Sequence, residues 1–163
     1  KEEVGYLMDL LEKALTVELE FLVEKGIRLN VLGRLQELRP SLQAAIQEAI
    51  DKTAHFTEHT LAICLNYGGR PEIVDAVRSI VASGKSADQI DEATIQSALY
   101  QPDMPDPDLI IRTSGEERLS GFLLWQCAYS EFYWIKKHWP DFDERDLDEA
   151  IAEYTRRQRR YGS

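Results

Sequence analysis

The chain is short of cysteine, of cations and of long apolar runs, and each shortage narrows what it can be. Its two cysteines, Cys64 and Cys127, stand far apart among 163 residues and outside any Cys-x-x-Cys spacing. Packing rather than bridges must hold the core, and a reducing compartment is expected. Lys and Arg number 19 against 29 Asp and Glu, a formal net charge of −10. That sign argues against non-specific nucleic-acid binding, which runs on cations neutralising phosphates. It does not exclude a local anion site, because net charge governs solubility and steering rather than one pocket. No apolar run approaches the roughly 20 residues of a membrane span, and no secretory signal is visible. His55, His59 and His138 have no metal-ligand spacing.

What is present reads as one globular α/β domain. Apolar residues make up 44% and charged residues 29%, enough for a real core. Val4, Leu7, Met8, Leu11, Leu15, Leu19 and Leu22 fall at helical spacing, and Gly26 stops that helix. Residues 27–33, IRLNVLG, alternate and predict a strand. Pro40-Ser41 opens a second helix with Leu42, Ile46, Ala49 and Ile50 on one face. TLAICLN, residues 60–66, is a continuous apolar run, expected to be a strand covered on both faces. A helix follows the YGGR turn and ends at Gly84, and a helical period returns before Tyr100. QPDMPDPD must be loop, since its prolines break regular structure. LIIRTS predicts another buried strand, and SGFLLWQCAYSEFYW a helix running into an extended stretch. The last helix, from residue 143, carries acids first and arginines last, matching the helix dipole. The expected fold is a mostly parallel sheet flanked by helices on both faces.

In such sheets ligands sit outside the carboxyl ends of the strands. Two polar, turn-rich segments lie there, NYGGR (66–70) and RTSGEERLS (112–120). In the second, Arg112 and Arg118 offer fork-shaped donors to an anion. Ser120 is expected to cap a helix whose free N–H groups face the same point. The alternative is that both arginines pair with Glu116, Glu117 or the Asp106/Asp108 loop. In NYGGR, the glycines serve either to cradle a phosphate or, more simply, to let strand pass tightly into helix. Arg70 is then solvated or paired with Glu72. Glu131 sits inside an aromatic run and is either an exposed strand carboxylate or a hard ligand for Mg²⁺. Cys64 and Cys127 read as core, and the arginines from Arg156 to Arg160 as a solvated helix end.

NYGGRPEI, DPDLIIRTSGEERLSGFLLWQCAYSEF, WPDF and the closing RRYG together resemble the cis-prenyltransferases, of the bacterial undecaprenyl diphosphate synthase kind. The resemblance runs in order along nearly the whole chain. It implies condensation of isopentenyl diphosphate onto an allylic diphosphate, usually farnesyl diphosphate, with a cis double bond, to build a polyprenyl carrier of cell-wall precursors. It implies a Mg²⁺-dependent homodimer in the cytoplasm, working near the inner membrane surface. Residue by residue, it assigns the isopentenyl diphosphate to Arg112, Arg118 and Ser120, with Leu119 in the same contact. It assigns a Mg²⁺ carboxylate to Glu131, and to Arg160 and Gly162 a contact reaching the partner subunit's diphosphate site. Leu61, Ile63 and the first helix are expected to wall an apolar tunnel for the hydrocarbon.

Two departures from the family pattern stand out. Gly121 replaces an asparagine, removing one side-chain donor. An Asp-Gly-Asn-Arg loop and a Ser-x-Glu-Asn-Trp segment, expected upstream and carrying the catalytic groups, are not among these residues. Residues 1–163 are therefore expected to be the C-terminal two-thirds of one domain, inactive alone and with sheet edge exposed. The competing expectations are a non-catalytic subunit or scaffold serving a partner chain, and, more distantly, a nucleotide-binding α/β protein.

Overall fold

The structure, a computed structural model, describes residues 2–157. Helix α1 (Glu2–Glu24) is followed by strand β1 (Ile27–Leu32), helix α2 (Pro40–Thr53) and strand β2 (His59–Cys64). Helices α3 (Gly69–Ala82) and α4 (Glu92–Gln96) lead to strands β3 (Leu109–Arg112) and β4 (Glu131–Trp134), then to helix α5 (Glu144–Arg156). The strands form two parallel pairs, β1 with β2 and β3 with β4. The parallel α/β reading holds, but the strands described here do not hydrogen-bond into one sheet.

Alternation along β1 divides the interior into two cores. Leu29 and Val31 face α1 and α2, where they pack with Leu15, Leu22, Leu42, Ile46 and Ala49. Leu32 points the other way and packs with Ile110, Leu123 and Cys127. Pro40 opens α2 at its first turn, where its missing N–H costs nothing. At the far end of α2, buried Thr53 accepts the Leu29 N–H at 3.0 Å and donates to the Ala49 carbonyl at 2.8 Å. One hydroxyl thus ties the end of α2 to β1. Asp143 caps α5, accepting from the Arg145 and Asp146 N–H groups.

A polar clamp joins the two halves. Arg34, just after β1, grips Asp75 of α3 through two bonds of 2.8 and 3.0 Å, and Tyr100 Oη donates to the same carboxylate at 2.6 Å. Arg34 and the Tyr100 hydroxyl hold the Asp75 carboxyl down at about 2.

Two expectations fail. β2 is not covered on both faces, since His59 to Ala62 are exposed and Leu61 is 42% accessible. Among the described residues β2 pairs only with β1, so its other edge carries no strand. A continuous apolar run reads the same whether or not its cover is present. Nor does a regular helix begin at Ser120, for residues 120–129 are a string of turns. Ser120 (φ 49), Gly121 (φ 85) and Leu123 (φ 43) all lie in the left-handed region, which a right-handed helix cannot continue through.

Candidate functional site

The carboxyl end of β3 places Arg112 beside the loop that follows. Its carbonyl accepts the Ile135 N–H at 2.9 Å, and the N–H groups of Ser114 and Gly115 bond the carbonyls of Lys137 and Ile135 at 2.7 and 2.9 Å. The backbone is thereby locked onto the segment leaving β4. From this base Arg112 Nη1 donates to the Arg118 carbonyl at 2.6 Å and reaches Ser120 Oγ at 3.3 Å. Leu119 turns inward and packs against the second core. Arg112, Arg118 and Ser120 therefore meet in one loop, anchored by Leu119. No helix N-terminus contributes.

The salt-bridge alternative holds for one arginine and not for the other. Arg118 pairs with Glu116, and its side chain is 64% exposed. Arg112 enters no ion pair among the described residues. Its charge is met only by a carbonyl and a hydroxyl, both of which leave a guanidinium able to take an anion's oxygens.

NYGGR supports this loop rather than forming a second cradle. The Gly69 N–H donates to the Gly121 carbonyl at 2.7 Å. A Cβ on Gly69 would stand 2.8 Å from Leu124 Cγ and 2.9 Å from that carbonyl, so only glycine permits the approach. Arg70 is exposed. Of its two alternatives, solvation holds and pairing with Glu72 does not, because Glu72 is fully buried and turned inward. There its carboxylate accepts from Tyr67 Oη at 2.5 Å, from Gln126 Nε2 at 3.2 Å and from the Tyr100 N–H at 3.2 Å. Burial pushes the neighbouring Cys64 thiol up to about 11, with Glu72 adding to the shift. Cys64 is thus an unreactive, half-buried core residue.

Glu131 lies at the opposite end of the β3–β4 pair, across from Leu109 while Arg112 faces Trp134. Three residues of strand separate the two, roughly 10 Å. Its carboxylate is engaged by Arg157 at 2.9 Å, and Arg157 also donates to the Phe132 carbonyl at 2.8 Å. Among the described residues, no group of three or more His, Cys, Asp or Glu could hold a metal ion. By themselves these residues do not fit a Mg²⁺ centre. Arg160 and Gly162 lie outside the described residues.

An apolar cavity of about 240 Å³ lies between α1 and the sheet, lined by Leu11, Ala14, Phe21, Leu29, Leu61 and Ile63 among others. Leu61, Ile63 and α1 thus border one apolar space. Two networks escaped the sequence reading, the Arg34–Asp75–Tyr100 clamp and the buried Glu72. One signal was available for the second. Gln126 sits inside the apolar run FLLWQCAY, and a polar residue there needs a partner.

Residues 1–162 match the family model described as "Putative undecaprenyl diphosphate synthase". The isoprenyl transferase of Thermotoga maritima is 51% identical over 165 residues, covering 99% of this chain and 70% of that protein. The ditrans,polycis-undecaprenyl-diphosphate synthase of Micrococcus luteus, described as (2E,6E)-farnesyl-diphosphate specific, is 46% identical, with 99% and 67% covered. Among solved structures, lavandulyl diphosphate synthase from Lavandula x intermedia, in complex with dimethylallyl diphosphate, superposes with a TM-score of 0.95 at 38% identity. That match covers all of this chain and 72% of the other. These matches agree with one another. The chain belongs to the undecaprenyl diphosphate synthase family of cis-prenyltransferases.

Proposed function

We propose that the protein takes part in condensing isopentenyl diphosphate onto an allylic diphosphate, with cis geometry, to make a polyprenyl diphosphate. One observation carries the reading. Arg112 is fixed at the end of β3, free of any described ion pair, with its guanidinium on Ser120 and beside the Arg118 carbonyl. In this reading the isopentenyl diphosphate takes over the Ser120 contact and draws Arg118 away from Glu116. The loop backbone needs no rearrangement, because Leu119 and the Gly69–Gly121 bond hold it. The growing hydrocarbon lies against Leu61, Ile63 and α1. The lavandulyl enzyme's dimethylallyl diphosphate and the Micrococcus enzyme's farnesyl specificity support an allylic diphosphate as second substrate.

Mg²⁺, when bound, supplies charge neutralisation on a departing diphosphate. Glu131 would be this chain's one candidate ligand, and in this structure its carboxylate is held by Arg157. Further ligands would have to come from diphosphate oxygens, water or other residues. A homodimer, with Arg160 and Gly162 reaching the partner, belongs to the same proposal, as does work at the cytoplasmic face of the membrane. No helix among the described residues is long and apolar enough to cross a membrane.

The test is calorimetric titration with isopentenyl diphosphate. Binding that falls sharply in Arg112→Ala and Arg118→Ala, with ADP binding no better than inorganic phosphate, supports the reading. Equal binding by wild type and both variants overturns it. Residues 1–163 alone are expected to show no farnesyl-dependent condensation. Bulky substitutions at Leu61 or Ile63 in an active full-length enzyme should shorten the product.

A further inference from the structure

A fully buried carboxyl group lies outside the proposed ligand contacts. Glu72 is fully buried, and no ion pair among the described residues includes it. Burying a carboxylate without a cation is costly unless several donors replace its water. Three do, and each comes from a different part of the chain. Tyr67 belongs to the turn after β2, Tyr100 to the segment after α4, and Gln126 to the string of turns carrying Ser120. Gln126 is itself fully buried, and its Oε1 has no partner. Flipping the amide would set that oxygen against the carboxylate, so Glu72 dictates which way Gln126 points.

The geometry places this network directly behind the anion loop. Glu72 lies in the first turn of α3, which opens at Gly69. Gly69 holds the Gly121 carbonyl, and Ser120 immediately precedes Gly121. The Tyr67 ring meets Phe122 edge-on at 6.4 Å and Tyr100 at 6.1 Å. The anion loop has three non-glycine residues at positive φ between Ser114 and Leu123, a conformation that persists only where surroundings enforce it.

We infer that Glu72, Gln126 and Tyr67 are positioning residues, a buried network that pins residues 119–128 against Gly69 and so sets the spacing of Arg112, Arg118 and Ser120. Its binding arm rests on the diphosphate reading above, and its structural arm does not. A hydrogen-bonded carboxyl group suits the task better than an apolar contact. Its bonds are directional, and each lost donor leaves a buried polar atom unsatisfied.

The test uses Gln126→Leu, which keeps the volume, and Glu72→Gln, which keeps an acceptor for Tyr67. Hydrogen exchange is followed at Gly69 and residues 119–128, with β1 and α2 as internal reference, and inorganic diphosphate affinity is measured by calorimetry. Gln126→Leu should raise exchange at least tenfold in residues 119–128 and at Gly69, leaving β1 and α2 unchanged. Affinity should fall about tenfold although Gln126 touches no ligand, and Glu72→Gln should be milder on both readouts. Unchanged exchange in the loop, or a rise spread evenly over β1 and α2, overturns the positioning role. If wild type and Arg112→Ala bind diphosphate equally, the binding-site reading fails, and the exchange pattern still decides the network.

Discussion

The two cores of this molecule are built on opposite principles. The first, between α1, α2 and the β1–β2 face, is apolar and regular, with Leu29, Leu42, Ile46 and Ala49 almost fully buried. The second lies under the strand ends, where Leu32, Ile110, Leu123 and Cys127 adjoin a buried carboxylate and a buried amide. The first needs only side chains of the right period. The second holds an irregular loop in place, and apolar packing alone does not orient a loop, because it lacks direction. Directional bonds from Gln126, Tyr67 and Gly69 supply it. The two cores thus differ in what they hold, and β1 touches both, through Leu29 on one face and Leu32 on the other.

The sharpest way to break that comparison is to remove the same side chain from each face. Leu29→Ala and Leu32→Ala should each cost about 2–5 kcal/mol in urea unfolding, the usual cavity penalty for a fully buried leucine. Only Leu32→Ala should also weaken diphosphate binding, since only it underlies the loop. Equal loss of affinity in both would mean the cores are not separable. Arg112→Ala should do the reverse. It should lower affinity about 10- to 100-fold, as expected for a charge-assisted contact of about 1.5–3 kcal/mol. Its effect on the unfolding midpoint should be small, because the Arg112 contacts are solvent-exposed.

This division also explains what the sequence disclosed. Period 2 places β1 to within a residue and Pro40 marks the start of α2, and Arg112, Arg118 and Ser120 stand out in the sequence because they share one short loop. Residues 120–129 misled because Leu123, Leu124 and Cys127 keep a helical spacing, whereas left-handed residues break the backbone beneath it. The Glu72–Gln126 bond joins positions 54 apart, which no local pattern can reveal. The exposed half of β2 was hidden for another reason. An apolar run reads alike in a covered strand and in an exposed one, and residues 59–62 are exposed.

A finer comparison sets the two glycines at the loop's contact against each other. Gly69 faces Leu124 and the Gly121 carbonyl, whereas a Cβ on Gly121 would meet nothing within 4 Å. Gly121→Ala should therefore cost only the left-handed penalty, about 1–2 kcal/mol. Gly121→Asn, the residue the family pattern carries, should cost less, since asparagine tolerates that region. Gly69→Ala should cost more than either and reduce diphosphate affinity as well. Thermal unfolding and calorimetry of the three variants rank them.

The smallest effect concerns the clamp between the regions, and it is read through pH. Asp75 is held at about 2 by Arg34 and Tyr100, below its ordinary 3.8. Its contribution is fully present above the ordinary value and is lost as pH falls through about 2. Tyr100 is the mirror case. Burial first, and then the bond to Asp75, push its hydroxyl up to about 12 from 10. Its contribution is present below 10 and is lost as pH rises through about 12. The clamp should therefore add a flat stability increment between about pH 4 and 10 that declines on both sides. Asp75→Asn should lower stability inside that window and converge on wild type toward pH 2. Tyr100→Phe should remove the alkaline decline, since the phenylalanine has no proton to lose. A constant offset between wild type and Asp75→Asn from pH 2 to 7 would show that Asp75 does not act through its charge.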